Sequence, residues 1–342
     1  MRDDLSVAEL DSQPRTIQSI YTLYSQDQLY VNRRYQRKLV WTLQEKQKLV
    51  ESLLNRYPVP GVLLAERESG GYEIIDGLQR LHSIVSFIEG AYPTATGAYF
   101  DISQLPTAKA RMDRGLYEPV ASTPLVTATD VSTFLDYTFA FSTMRGATEE
   151  DIDDVFSRIN TYGHRLSDQE RRQAGVQDDF ATLVRELACE LRGDPSSNIL
   201  GLAQMPKISI DLPMTKHGYT VQAEDVFWVS QGILRATDLR DSMDEQCLAD
   251  IAASIVGGSL LERSKDALDE IYTQGKPYRR RFELGTRLPI PLDRVLPLVP
   301  GHSLCGPSRA RCSACQRRDR AGDLVSRARR TARLRDSHPA GR

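Results

Sequence analysis

The sequence predicts an α+β fold: short strands and capped helices alternate in the first half, and a mainly helical region follows. Three observations predict it. Short apolar or alternating runs at 28–31, 61–66, 72–75 and 136–144 are bounded by turn residues, as strands are. Between them, apolar residues recur three and four apart, the period of a helix with one buried face. Beyond residue 146 the helical period dominates.

Taken in order, residues 16–25 predict a helix with Ile17, Ile20, Tyr21 and Tyr24 on one face. A strand at 28–31 leads into the basic cluster Arg33-Arg34-Tyr35-Gln36-Arg37-Lys38. Thr42 to Glu45 reads as a capping box, in which the Thr hydroxyl and the Glu side chain satisfy free helix N–H groups. The helix it opens runs to about Arg56, before Pro58 and Pro60. Strands at 61–66 and 72–75 flank the loop Glu68-Ser69-Gly70-Gly71. Asp76-Gly77 is a sharp turn into a helix over 78–89, which Gly90 ends. Residues 91–130 carry scattered Pro, Gly and Thr and predict no clear element. A helix follows at 148–160, then one from the Ser167–Glu170 capping box to Leu191, with a break marked by Gly175. Further helices are expected at 222–236, 243–256 and 261–272.

Three segments follow from this pass: an α+β domain over 15–145, a mainly helical region over 146–275, and an Arg-rich tail over 276–342. The net charge of −2 conceals a division, since residues 279–342 hold 16 Arg and 5 acids, a net of +11. The acidic remainder has no global field for nucleic acid, so any DNA contact there needs a local patch. The tail has little helical or strand period and too little apolar surface to offset its ordering entropy. It reads either as disordered or as an unselected reading-frame extension. Its His302, Cys305, Cys312 and Cys315 are of zinc-ligating type, but the six-residue middle spacing is short for two ordinary knuckles. Five cysteines, an odd number, do not make a disulfide framework. No apolar run approaches the roughly 18–20 residues of a membrane-spanning helix, and the charged start carries no secretory signal. The expected location is the cytoplasm, with no membrane partner.

Chemistry concentrates in Tyr72-Glu73-Ile74-Ile75-Asp76-Gly77-Leu78-Gln79-Arg80. A helix that starts directly after a strand presents unpaired N–H groups and a positive partial charge, which suits an anion. Gly77 permits close backbone approach, and Arg80 adds a bidentate phosphate partner. Gln79 offers a donor and an acceptor, and Asp76 either holds Mg²⁺ or caps the helix. A bland alternative treats Asp76 as the cap and Arg80 as a solvated charge. The Arg33–Lys38 cluster, with Tyr35 and Trp41, is either a phosphate-contacting and stacking patch or plain basic surface. In Phe156–Ser167, Gly163 and Leu166 fit a helix stop and restart, which leaves Arg158 and Asn160 without a structural requirement. No phosphate loop of the Gly-x-x-x-x-Gly-Lys type, nucleophile elbow or His-Glu-x-x-His motif is present, and His82 reads as a packing residue.

In this order, Arg34-Tyr35-Gln36-Arg37, Val40-Trp41, Pro58-Val59-Pro60, Asp76-Gly77-Leu78-Gln79-Arg80 and Phe156-Ser157-Arg158-Ile159-Asn160 resemble the N-terminal domain of GmrSD-type restriction endonucleases. That domain is itself similar to the ParB/sulfiredoxin-like fold, and the resemblance covers about residues 15–190. It implies a nucleoside triphosphate with Mg²⁺ as cofactor, in a system that restricts modified phage DNA. Asp76 and Arg80 match the catalytic positions. Gly77, Gln79, Arg34, Tyr35, Gln36, Arg37, Arg158 and Asn160 match the binding positions. Leu78 stands where the family has a Gln, and one polar contact is lost there. Full-length relatives often carry a His-Asn-His nuclease domain, and nothing after residue 190 supplies one. The implied roles are a nucleoside triphosphatase or endonuclease component that reaches DNA directly or through a nuclease partner, with room for an oligomer. The alternatives are a non-catalytic ParB-like DNA-binding adaptor and a Mg²⁺-dependent nuclease acting through the N-terminal domain.

Overall fold

The computed structural model describes residues 9–33, 38–120, 123–162, 167–174, 179–194, 198–208, 210–211, 221–257 and 265–274. All of these belong to one compact unit, residues 1–282; the second unit, 283–342, lies outside the described residues, and with it the zinc-type cluster of the tail.

The chain opens with a strand that the sequence pattern does not announce, β1 (Glu9–Thr16). Most of its residues are exposed, so no alternation marks it. What makes it a strand is pairing along its whole length with β5, from Glu9 opposite Arg145 to Thr16 opposite Thr138. The Thr16 hydroxyl then caps α1 (Ile17–Ser25) by accepting from Ser19 N–H at 3.2 Å. As expected, Ile17, Ile20, Tyr21 and Tyr24 are the buried face. β2 (Leu29–Asn32) follows, then α2 (Leu43–Leu54), which begins at the full Thr42/Glu45 capping box. It ends two residues short of the expected Arg56, which takes a left-handed φ of 55°. β3 (Val62–Glu66) and β4 (Tyr72–Asp76) form the expected hairpin, and α3 (Leu78–Ile88) leaves β4 at once.

Residues 91–130 hold two helices that their composition obscures: α4 (Pro106–Asp113) and α5 (Ala128–Leu135). Pro106 starts α4, where a missing N–H costs nothing. Thr127 caps α5 through Asp130 N–H. β5 (Thr138–Arg145) and α6 (Glu149–Tyr162) lie where the periodicity places them. Along the helix expected to reach Leu191 lie α7 (Asp168–Ala174) and α8 (Asp179–Arg192), and the break expected at Gly175 lies outside the described residues. Then come β6 (Ile199–Gly201), α9 (Met205–Ile208), β7 (Ile210–Asp211) and β8 (Val221–Gln222). The helix expected over 222–236 is corrected to a 3-10 turn at 223–225 and the single turn α10 (Phe227–Ser230). Gly232, at φ 69°, stops it, and the apolar spacing there serves to bury Val226 and Trp228 rather than a helix face. α11 (Met243–Gly257) and α12 (Lys265–Gln274) complete the described chain.

Six strands form one mixed sheet in the order β1-β5-β3-β4-β2-β6. One face carries the main core: Ile17, Tyr21, Val50, Leu53, Ile84, Phe87 and Phe134 are buried there under α1, α2, α3 and α5. The other face buries Ala65, Ile75 and Met144 against Ile152 and Phe156 of α6. α3 is buried from Leu81 to Ile88, so it is the central helix and the turn before it is set in the middle of the fold. No helix among the described residues is long and apolar enough to cross a membrane.

A polar knot ties α1, α3 and α4 together. Tyr21 and Tyr24 hydroxyls donate to Glu89 at 3.1 and 3.4 Å, and Arg111 Nε donates to it at 3.1 Å. Burial raises the Glu89 carboxyl above the usual carboxylate range, against the pull of Arg111. A carboxyl raised in the folded state contributes stability that is full below its unfolded pKa of about 4.3 and is lost as pH rises through the folded value. The unfolding free energy of the wild type, relative to Glu89→Gln, is therefore expected to fall as pH rises from 4 to 8. Urea titrations of both proteins across that range check it, and a rising difference contradicts the sign.

Candidate functional site

β4 ends at Asp76 and α3 begins at Leu78, with Gly77 alone between them. Gly77 sits at φ 101°, ψ 10°, in the left-handed region. A Cβ there would lie 3.0 Å from Val62 Cγ2 and 3.3 Å from Val62 Cγ1, so this turn requires glycine on both counts. No side chain caps α3, and its first-turn N–H groups keep their anion-binding character. Asp76 is thus not the cap. Its Oδ2 accepts from Arg80 Nη2 at 2.6 Å, and the same nitrogen donates to the Gly61 carbonyl at 2.8 Å. The pair is asymmetric in exposure, Arg80 at 16% and Asp76 at 44%. Arg80 Nε is buried with no partner among the described residues. An unmet guanidinium donor at an uncapped helix end is a setting in which a phosphate oxygen gains more than it would in water.

Gln79 bonds to the chain itself. Its Oε1 accepts from Val40 N–H at 3.0 Å and Trp41 N–H at 3.3 Å, while Nε2 donates to the Lys38 carbonyl at 2.9 Å. The first turn of α3 therefore grips residues 38–41. In the structure Gln79 holds the 38–41 loop to the first turn of α3.

The basic cluster divides in the same manner. Arg34, Tyr35, Gln36 and Arg37 lie outside the described residues. The residues on either side of them do not form basic surface. Arg33 is buried and forks onto the Asp194 carboxylate, its Nη1 donating to Oδ1 at 3.2 Å and its Nη2 to Oδ2. Lys38 is buried too, and its Nζ donates to the Leu239 carbonyl and to Ser242 Oγ, the latter at 3.0 Å, with Asp244 Oδ1 at 3.9 Å. Burial lowers the Lys38 pKa, against the attraction of Asp244. Asp244 and Glu245 are wholly buried and share Arg192, whose Nη1 reaches them at 2.7 and 3.3 Å. Burial alone would lower the Arg192 pKa, but the charges of Asp244 and Glu245 hold it above the ordinary arginine value.

Arg158 is exposed on α6 and pairs with Asp154 at 2.9 Å one turn away. Asn160 lies in the last turn of the same helix. α6 covers the opposite face of the sheet from the main core, through Ile152 and Phe156. His82 is buried within 3.3 Å of Ser86 Oγ, the packing role expected of it. Among the described residues, no group of three or more His, Cys, Asp or Glu is placed to hold a metal ion. The element that sequence reasoning missed is the buried charge set of Asp194, Arg192, Asp244 and Glu245. Ser242 to Glu245 announces only a helix start, and nothing local signals that its carboxylates are buried.

Neither a curated protein nor a solved structure matches the chain. A family model does: that of the GmrSD restriction endonuclease N-terminal domain, over residues 18–176. The matched stretch runs from α1 through α7 and contains the Asp76–Gly77 turn, α3, the basic segment and Arg158. Residues 18–176 of this chain are accordingly a GmrSD restriction endonuclease N-terminal domain.

Proposed function

We propose that the chain is the nucleotide-binding component of a bacterial DNA-restriction or phage-defence system, acting in the cytoplasm. In this reading its N-terminal half is ParB/sulfiredoxin-like. The observation that carries it is the left-handed Gly77 joining β4 to an uncapped α3, with the Arg80 guanidinium folded beside it and one donor unmet. The α3 N-terminus and Arg80 bind the phosphates of a nucleoside triphosphate, and Arg34 and Arg37 neutralise further charge. Asp76 suits Mg²⁺ arriving with the nucleotide, because Mg²⁺ is held by one or two carboxylates together with phosphate oxygens, and this carboxylate is 44% exposed. The Asp76–Arg80 pair opens as Arg80 turns to phosphate and Asp76 to the metal. DNA is reached directly or through a nuclease partner.

Calorimetric titration of ATP, GTP, CTP and UTP with Mg²⁺ into the full chain tests this. Saturable binding of at least one nucleotide is expected, weakened roughly a hundredfold in Arg80→Ala, the order of a lost charge-assisted phosphate contact of about 3 kcal/mol. Binding that Arg80→Ala leaves unchanged overturns the assignment. Absence of binding to all four, with salt-sensitive DNA binding that Arg80→Ala weakens, points instead to a DNA backbone at the same turn.

A further inference from the structure

One nitrogen of Arg80 makes two bonds: Nη2 donates to Asp76 Oδ2 at 2.6 Å and to the Gly61 carbonyl at 2.8 Å. Gly61 is the last residue of the loop 55–61, which joins α2 to β3. Three ties hold that loop among the described residues. At its start, Arg56 N–H donates to the Leu53 carbonyl at 3.1 Å and Tyr57 N–H to the Ser52 carbonyl at 2.8 Å. With Arg56 in the left-handed region, this is the Schellman closure of a helix C-terminus. In the middle, the Tyr137 hydroxyl accepts from Val59 N–H at 3.1 Å and donates to the Tyr57 carbonyl at 2.7 Å. At the end, the tie is Arg80. Gly61 has no side chain to hold it there, and a Cβ would lie 2.6 Å from the Ala140 carbonyl oxygen. The first two ties are hydrogen bonds between neutral groups. The third is made by a cation, and a cation is what a phosphate competes for. The loop faces water, with Tyr57 58% exposed and Pro58 and Pro60 exposed beside it.

We propose, on the reading of the Gly77–Arg80 site given above, that the loop 55–61 is a conformational readout of that site. Phosphate draws Arg80 Nη2 away from the Gly61 carbonyl, frees residues 58–61 and changes the surface around Tyr57. Because a single nitrogen carries both bonds, its departure to the ligand breaks both. The carbonyl then loses a charge-assisted bond, the stronger kind. What still holds the segment is the neutral Tyr137 hydroxyl. The tied loop and the phosphate compete for one guanidinium, so ligand shifts the population toward the freed loop, and the coupling is reciprocal.

Hydrogen exchange of the full chain tests this. Pro58 and Pro60 have no N–H, so Val59 carries the one amide between them. Its exchange is followed in the wild type alone and in the wild type saturated with Mg²⁺ and the triphosphate it prefers. Val59 is expected to exchange roughly tenfold faster with triphosphate bound, while the first-turn amides of α3 exchange more slowly. Stabilisation by a ligand slows exchange, so it does not produce acceleration at one amide beside protection of the next element. Arg80→Ala without nucleotide is expected to accelerate Val59 in the same way, because its tie to Gly61 is gone. Tyr137→Phe keeps the ring on Phe139, 5.1 Å between centroids, and removes the other tie, which gives the rate of an untied Val59 as the upper limit. Bound triphosphate with Val59 exchange unchanged or slowed overturns the proposal and leaves the reading of the site standing, and this comparison needs no variant to fold. Unchanged exchange at Val59 in Arg80→Ala overturns the proposal as well. A wild type that binds no triphosphate overturns the reading of the site and the proposal together.

Discussion

Asp244→Ala is expected to lose about 3–5 kcal/mol of unfolding free energy, the cost of leaving a buried charge without its partner. That is a large share of the roughly 5–15 kcal/mol that holds a domain folded. Asp244 is wholly buried, takes the shortest bond from Arg192 at 2.7 Å, and faces Lys38. In the wild type, two buried cations, Arg192 and Lys38, meet two buried anions, Asp244 and Glu245. Without Asp244, Glu245 is the one carboxylate left to this set. Arg192 cannot shed its proton, so its desolvation is the larger loss. Lys38, already lowered by burial, loses the attraction that opposes the lowering and gives up its proton more readily. Urea unfolding monitored by circular dichroism measures the effect, and a loss below about 1 kcal/mol, the median range of an exposed pair, contradicts the account.

Gln79→Ala is the second large effect. It removes one acceptor serving two backbone donors and one donor serving a backbone carbonyl, all between the first turn of α3 and residues 38–41. At about 0.5–1.5 kcal/mol for each of the three bonds, the expected loss is about 1.5–4.5 kcal/mol. The functional loss is expected to be larger than that stability suggests. Lys38, Val40 and Trp41 are released from the turn that carries Gly77 and Arg80, and nucleotide affinity falls with them. Urea unfolding and calorimetry on the same preparation separate the two effects. A variant that loses stability but binds as the wild type does would show that residues 38–41 need no fixed place relative to the turn. Gln79 thus differs from Arg80: the Arg80 Nε is without a partner among the described residues, whereas both polar atoms of the Gln79 amide are bonded to residues 38–41.

Much of the fold was legible because its signals are short-range. The Thr42/Glu45 box involves two residues three apart, and the structure forms it in full. Gly77 between a strand and a helix announced a turn, and the structure gives it the positive φ that the residue type permits. β1 was not legible, since a strand that exposes most of its residues carries no period, and it exists because β5 offers it a ladder. Residues 222–236 misled in the opposite direction. Apolar residues at helical spacing are buried there singly, through a 3-10 turn and one turn of helix.

The candidate site divides along the same line. From residue types and spacing alone came the strand–Asp-Gly–helix unit, the arginine in its first turn and the basic segment upstream. Those features are local, and a helix end exposes its N–H groups whatever surrounds it. Only the tertiary structure decided which charges are available. It turned Gln79 toward residues 38–41, folded Arg80 onto Asp76, and took Arg33 and Lys38 out of the basic surface. The reason is distance along the chain: Arg33 meets Asp194 across 161 residues, and Lys38 meets Ser242 across 204. An isolated arginine or lysine in a sequence carries its charge to water by default. Only a carboxylate or carbonyl brought to it by the folding of remote segments can keep that charge inside.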